Sequence, residues 1–331
     1  NGIHFQFGKT SGGADIAFVD SGYNSNKTSG SWFNMNNSQS NSGGWSSSRM
    51  RSTICPAFLS AMPSDWQSAI ASCTKYSDNT GGGGDIASYV TSTSDEIWLL
   101  ARRIEKLNFL KAELETLSQS PAVRPVEIDL TGTKGVNAFK KLLEEEEAKG
   151  TFEITVLVND AGFGTYGPFE ETPLDRQLEM IELNCTSLTG LCGLSIPFMN
   201  ENSHIINVAS LAAFSPLGNF AVYAATKGFV YQFSLALAAE LKHKGIKVCA
   251  VCPGSVSTEF ANVASNGARK EVLHGISSQK TVEHALKKAF TGKTTALYAL
   301  KWKLKAFLSR FTNPDTVADF TYRHCKRPYK H

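Results

Sequence analysis

The sequence has no apolar run approaching the roughly 18 residues that a membrane-spanning helix requires, which excludes a helical span within residues 1–331. It has no leader-like pattern of a basic start, an apolar stretch and small cleavage-site residues. Excess charge of one sign is missing too. Thirty-three Lys and Arg stand against 30 Asp and Glu, for a net charge of +3. That is too little to draw in nucleic acid, and no basic run alternates with aromatics. Metal-ligand clusters are scarce. Cys249 and Cys252 have the spacing of a redox or metal pair, but no second Cys/His pair accompanies them and 247–252 reads as a buried strand, so no metal is expected. Four of the seven cysteines (Cys185, Cys192, Cys249, Cys252) fall in apolar patterns, which favours a reducing, cytoplasmic setting.

Charge is thin in the first 94 residues, where 47 are Gly, Ser, Thr or Asn and five basic residues balance five acidic ones. Beyond Asp95 apolar strands alternate with charged helices, so two units of different origin are expected to meet there: 1–94 and 95–331. The first unit reads as a small, mostly β or α+β segment with Gly/Ser turns. Its Gly81–Gly84 run invites comparison with a phosphate loop, but the preceding 74–80 is polar rather than an apolar strand, so a turn is the better reading. Trp45 and Trp66 suit a core more than a glycan platform. The chain starts at Asn1 rather than methionine, which reads as a fragment or a processed product.

In the second unit, strands are expected at 97–101, 123–128, 154–158, 204–210 and 247–252. Helices are expected at 104–117, 136–148, 174–199 and from Tyr223 through Lys242. Strands alternating with helices specify parallel β-α-β units, an α/β fold with a doubly wound sheet. In such sheets ligands sit at the carboxyl ends of the strands.

Tyr223 and Lys227 are four residues apart on a helix, so a phenol and an ammonium share one face. An ammonium near a phenol favours the phenolate and makes Tyr223 a candidate acid/base. Thirteen positions earlier Ser210 closes an apolar strand, where its hydroxyl and the Tyr/Lys pair could meet one carbonyl oxygen.

These three residues, with Asn159-Asp160-Ala161-Gly162, Asn184 and Pro253-Gly254, resemble the short-chain dehydrogenase/reductase family from about Asp95 onward. The resemblance implies a Rossmann-like fold and hydride transfer between a nicotinamide cofactor and a small carbonyl or alcohol substrate. It implies catalytic roles for Ser210, Tyr223, Lys227 and Asn184, the last being the helix-kinking asparagine of a proton relay. Cofactor contacts would come from Arg102, Asp129, Asn159, Ala161, Gly162, Tyr223, Lys227, Pro253, Gly254, Val256 and Thr258. Arg102 stands where an acidic residue would accept bonds from a ribose diol, and its guanidinium suits a 2′-phosphate, so NADP is expected over NAD. A solvated arginine at a helix start is the alternative reading. Asp160 departs from the usual Asn-Asn-Ala-Gly. The stretch 259–279 looks like a substrate lid.

The family's opening strand, Gly-rich turn and helix are not found before Asp95, so an incomplete sheet with exposed edges and impaired turnover is expected. Residues 1–94 resemble instead an uncharacterised domain of bacterial and phage-associated surface-type proteins, on Phe33-Asn34-Met35-Asn36, Gly43-Gly44-Trp45, Arg49-Met50-Arg51 and 74–93. A non-catalytic fusion or surface-type binding module carrying a reductase remnant is the second hypothesis. Leu300, Leu304, Phe307, Leu308 and Phe311 line one helix face with lysines largely off it. That face is expected to pack on the body or a second subunit of a homo-oligomer rather than on a membrane.

Overall fold

The computed structural model describes residues 96–115, 122–256, 260–269, 275–276 and 278–330. The Gly/Ser/Asn-rich segment, with Gly81–Gly84, Trp45, Trp66 and the Asp95 junction, lies outside the described residues. So does Thr258.

Among the described residues parallel strands alternate with helices. The first strand, β1 (Glu96–Ala101), leads into α1 (Ile104–Glu115), β2 (Ala122–Glu127) and α2 (Gly132–Glu147). Next comes β3 (Val156–Asn159), then α3 (Leu174–Ile181), a π-helical turn (Glu182–Ser187) and α4 (Leu188–Ser195). The chain goes on through β4 (His204–Val208), α5 (Ala221–Glu240) and β5 (Lys247–Val251). It continues with α6 (Phe260–Ala264), α7 (Ser278–Phe290), β6 (Thr295–Ala296), α8 (Leu300–Leu308) and α9 (Pro314–His324).

Among the described residues the strands form two parallel sheets, β1-β2 and β3-β4-β5-β6. Pro125 sits inside β2 opposite Leu99. Proline cannot donate to a ladder, which suits a strand that pairs on one side only. No ladder joins β1 to β3 among the described residues, yet both sheets contribute to the same two cores. Trp98 and Leu100 pack with Leu157, Ile205 and residues of α2, α4 and α5. Ile97, Leu99 and Ala101 pack with Val156, Val158, Ile206 and residues of α1 and α7. Alternating side chains thus face helices on both sides, as in a doubly wound α/β fold.

The expected helix 174–199 is interrupted, because its middle six residues adopt the wider π-helical turn. The expected lid contains the short helix α6 and a bridge between Val256 and Ile276. Cys249 and Cys252 belong to the cores on opposite faces of the sheet and cannot share a ligand. Of the two packings expected for the apolar face of α8, on the body or on a second subunit, the first is not made: Leu300 is 80% exposed and Phe311 74%. Contact with the body runs instead through Trp302 and Ala306, one helical turn apart on the other side.

No described helix is long and apolar enough to cross a membrane.

Candidate active site

Parallel strands bring the carboxyl ends of β3, β4 and β5 to one edge of the sheet, and the first turns of α5 lie over it. There the chain encloses a cavity of about 1110 Å³. Of the residues expected from the sequence, Ser210, Tyr223, Lys227, Pro253, Gly254 and Val256 line it. Arg102, Asp129, Asn159, Ala161, Gly162 and Asn184 are not among its lining residues.

Ser210 caps a short 3₁₀ turn, its hydroxyl accepting from the Ala212 amide at 3.1 Å. It also hydrogen-bonds to the Tyr223 phenol. Tyr223 is buried, its ring stacked on Phe220 at 4.2 Å and tilted against Phe260 at 5.3 Å. Lys227 is buried as well and donates to the Val208 carbonyl at 2.7 Å, its nitrogen 5.9 Å from the centre of the Tyr223 ring.

Burial raises the Tyr223 pKa far above the ordinary value of 10; the Ser210 hydrogen bond works against it, and Tyr166 and Asp160 add to it. Burial lowers the Lys227 pKa, opposed by the fields of Asp160, Cys185 and Cys252. The expectation that Lys227 draws the phenol toward neutrality is therefore not met in this geometry. Its ammonium is bound to the strand carbonyl, and desolvation of the phenolate dominates. The phenol is held in its proton-loaded form.

Asn184, fully buried, lies in the π-helical turn. Its amide nitrogen donates to Phe163 O and Thr226 Oγ1, both at 3.0 Å, and its oxygen accepts from Phe163 N at 3.0 Å. Both amide hydrogens are thereby used. The side chain clamps the loop after β3 to α5 at Thr226, which lies between Tyr223 and Lys227. Gly162 explains itself here: a Cβ would meet Asn184 Oδ1 at 2.5 Å and Lys227 Nζ at 3.2 Å.

Asn159 donates to Asn207 Oδ1 at 2.9 Å and to Cys192 Sγ at 3.2 Å, and Asn207 in turn donates to Ser234. Its side chain thus ties β3 to β4 and α4. Asp129 is exposed and accepts from the Thr131 amide and hydroxyl, forming a turn ahead of α2. Arg102, half-exposed at the end of β1, approaches Glu179 of α3 at 3.9 Å.

Sequence reasoning missed several cavity residues. Tyr166, Phe220 and Phe260 make an aromatic cluster around Tyr223. Trp302 lies against Gly254, where a Cβ would come within 2.4 Å of the indole nitrogen. Arg269 and Arg327 reach the cavity from the end of the α6 loop and the tail after α9. Only Phe220 carried a local signal, being three residues before Tyr223 and hence on its helix face.

A family model for short chain dehydrogenase matches residues 78–268. A serine 3-dehydrogenase from Rhizobium radiobacter is 37% identical over 169 residues, 50% of this chain and 64% of that protein. The probable oxidoreductase EphD of Mycobacterium tuberculosis is 30% identical over 146 residues, 43% of this chain and 24% of that protein. The chain thus spans less than two thirds of the length of these relatives. Among solved structures, a short-chain dehydrogenase from Sphingobium yanoikuyae in complex with NADPH superposes with a TM-score of 0.55 at 26% identity, over 68% of this chain and 89% of that one. A matched model that covers more than half the sequence, on a doubly wound sheet with Ser210, Tyr223 and Lys227 around one cavity, places the chain in the short chain dehydrogenase family of oxidoreductases.

Proposed function

We propose that residues 95–331 form a carbonyl reductase or alcohol dehydrogenase unit that uses NADP(H), with 1–94 as a separate unit. The observation that carries this reading is the meeting of a Ser210–Tyr223 hydrogen bond and the Lys227 ammonium in one cavity with the Pro253-Gly254 turn. The nicotinamide end of a dinucleotide fits there, since Val208, Pro253, Gly254 and Val256 supply an apolar wall beside Tyr223 and Lys227. When bound, the nicotinamide gives or takes the hydride at the carbonyl carbon.

The chain's own residues do the rest. Ser210 donates a hydrogen bond to the substrate oxygen. The Tyr223 phenol, kept protonated by burial, delivers its proton to that oxygen as negative charge develops, and takes one back in the oxidative direction. Lys227, fixed by the Val208 carbonyl, keeps a positive charge near the phenol and favours the transient phenolate. Asn184 holds the loop and helix that carry these groups in register.

Arg102 is our candidate for the 2′-phosphate. A half-exposed guanidinium whose ion partner is 3.9 Å away retains most of its donors for an incoming phosphate. The family match reaches back to residue 78, but the Gly81–Gly84 run there follows a polar stretch instead of an apolar strand, so we expect a weakened phosphate grip, with the cofactor held weakly and turnover slow. Two missing charge-assisted bonds of about 1.5–3 kcal/mol each are enough to lift a micromolar site well above that range.

The test is calorimetric titration with NADPH and NADH, followed by carbonyl reduction at high cofactor concentration. The reading expects tighter NADPH binding, loss of that preference in Arg102→Ala, and measurable reduction that disappears in Tyr223→Phe. Equal affinities for the two cofactors sink the NADP assignment, and reduction that survives Tyr223→Phe sinks the catalytic one. Absence of both binding and turnover favours a non-catalytic reductase remnant.

A further inference from the structure

The charged side chains that line the cavity are of one sign. Lys227, Arg269, Lys305 and Arg327 line it, and no Asp or Glu does among the described residues. Arg327, half-buried, lies with its guanidinium 5.2 Å from the centre of the Phe220 ring, and Arg269 lies 5.8 Å from that of Tyr166. Tyr166 and Phe220 pack edge to face at 5.0 Å, and Phe220 stacks on Tyr223. One aromatic row therefore joins the two guanidiniums to the phenol.

Neither arginine forms an ion pair with a carboxylate of a described residue. Each gives one N–H to the backbone, Arg327 to Gly218 O at 3.0 Å and Arg269 to Lys326 O at 2.7 Å. A guanidinium has five such donors. Two like charges facing a common cavity without a counterion repel each other, and the half-buried one is also partly desolvated. Burial and the nearby Arg269 charge both act to lower the Arg327 pKa, opposed by Tyr166 and Cys325, although a guanidinium remains protonated. Contact with an anion would offset both costs, and the planar fork of arginine matches a carboxylate.

We infer that the substrate of this site is a carboxylate-bearing carbonyl compound or its hydroxy acid, with Arg327 and Arg269 holding the carboxylate while the carbonyl lies at Ser210 and Tyr223. This rests on the reductase reading for the role of the carbonyl end, but the anion contact is measurable without turnover. The probes are 4-acetylbenzoate and its neutral isostere 4-acetylbenzamide, titrated into the full chain by calorimetry without cofactor.

The acid is expected to bind at least about tenfold more tightly than the amide, with the gap closing as salt rises. Arg269→Gln, whose side chain is exposed, should narrow the gap, Arg327→Gln should narrow it further, and Arg327→Lys should keep part of it. Equal binding of acid and amide overturns the inference, as does a preference that survives both Gln substitutions together. Should Arg327→Gln fail to fold, judged by circular dichroism, an unchanged preference in Arg269→Gln alone counts against it. The two readings separate cleanly: acid preference with no Tyr223-dependent reduction of either probe keeps the anion contact and rejects the reductase. Reduction of both probes with equal kcat/KM does the reverse.

Discussion

Replacing Asn184 by alanine should destabilise the folded chain by about 3 kcal/mol, because it withdraws partners from two buried backbone groups at once. The Phe163 N–H and C=O each bond to the Asn184 amide at 3.0 Å, and Phe163 is 5% exposed. A buried polar group left without a partner costs about 1–3 kcal/mol. Thr226 Oγ1 loses little, since it still donates to Tyr223 O at 2.9 Å. Two orphaned groups then give roughly 2–6 kcal/mol, and relaxation of the wide π-helical turn, or a water entering the polar gap, takes the expectation to the lower half of that range. The assay is urea unfolding followed by circular dichroism at 222 nm. With a slope of about 3 kcal/mol per molar urea for a domain of this size, the midpoint should fall by about 1 M. Thr226→Val, which removes one of the three Asn184 bonds, should lower it by about 0.3 M. An Asn184→Ala midpoint no lower than that of Thr226→Val would refute the clamp.

Gly162→Ala attacks the same contact from the other side, since its methyl would land 2.5 Å from Asn184 Oδ1. Overpacking of this kind costs about 1–3 kcal/mol, and a midpoint equal to wild type would mean the loop shifts freely. His204 is buried against Phe290, and burial pulls its pKa down to about 3 from 6.5. The unfolded chain therefore takes up a proton below pH 6.5 that the folded chain refuses until about pH 3, so stability is complete above pH 6.5 and falls by about 1.4 kcal/mol per pH unit below it. His204→Phe should lose less stability than wild type between pH 7 and pH 5, and identical losses would remove His204 from the acid response.

The alternation of strands and helices was legible because most strands are short runs buried along nearly their whole length. His204–Val208 is buried at every position, and Val156–Asn159 likewise. The Ser210, Tyr223 and Lys227 grouping was legible for a related reason: one strand end and one helix turn lie close in sequence as well as in space. Other elements left weaker traces. The buried stripe of α7 is Val282, Ala285, Leu286 and Ala289, where two alanines mute the helical period. The outward face of α8 has a stronger apolar pattern than the side that meets the body, Trp302 and Ala306, so periodicity did not name the contact with the body. Arg269 and Arg327 could not be paired from sequence, because only tertiary packing brings the loop after α6 and the tail after α9 to one cavity.

The π-helical turn has a consequence for length variation. With about 3.6 residues per turn, an α-helix fixes the direction of every side chain relative to the first, at about 100° per residue. The turn at Glu182–Ser187 takes in more chain than a regular turn and so works as a phase offset between two helical frames. Upstream, Gln177 and Met180 point inward in the frame of α3; downstream, Leu188, Leu191 and Cys192 do so in the frame of α4. Deleting one residue here would let the backbone heal into a regular helix, and because the wide turn takes up about one residue more than a regular one, α4 would keep its direction and its inward residues their burial. At this position the loss of a single codon is a milder change than within α3 or α4, where it would rotate the rest of the helix by about 100°.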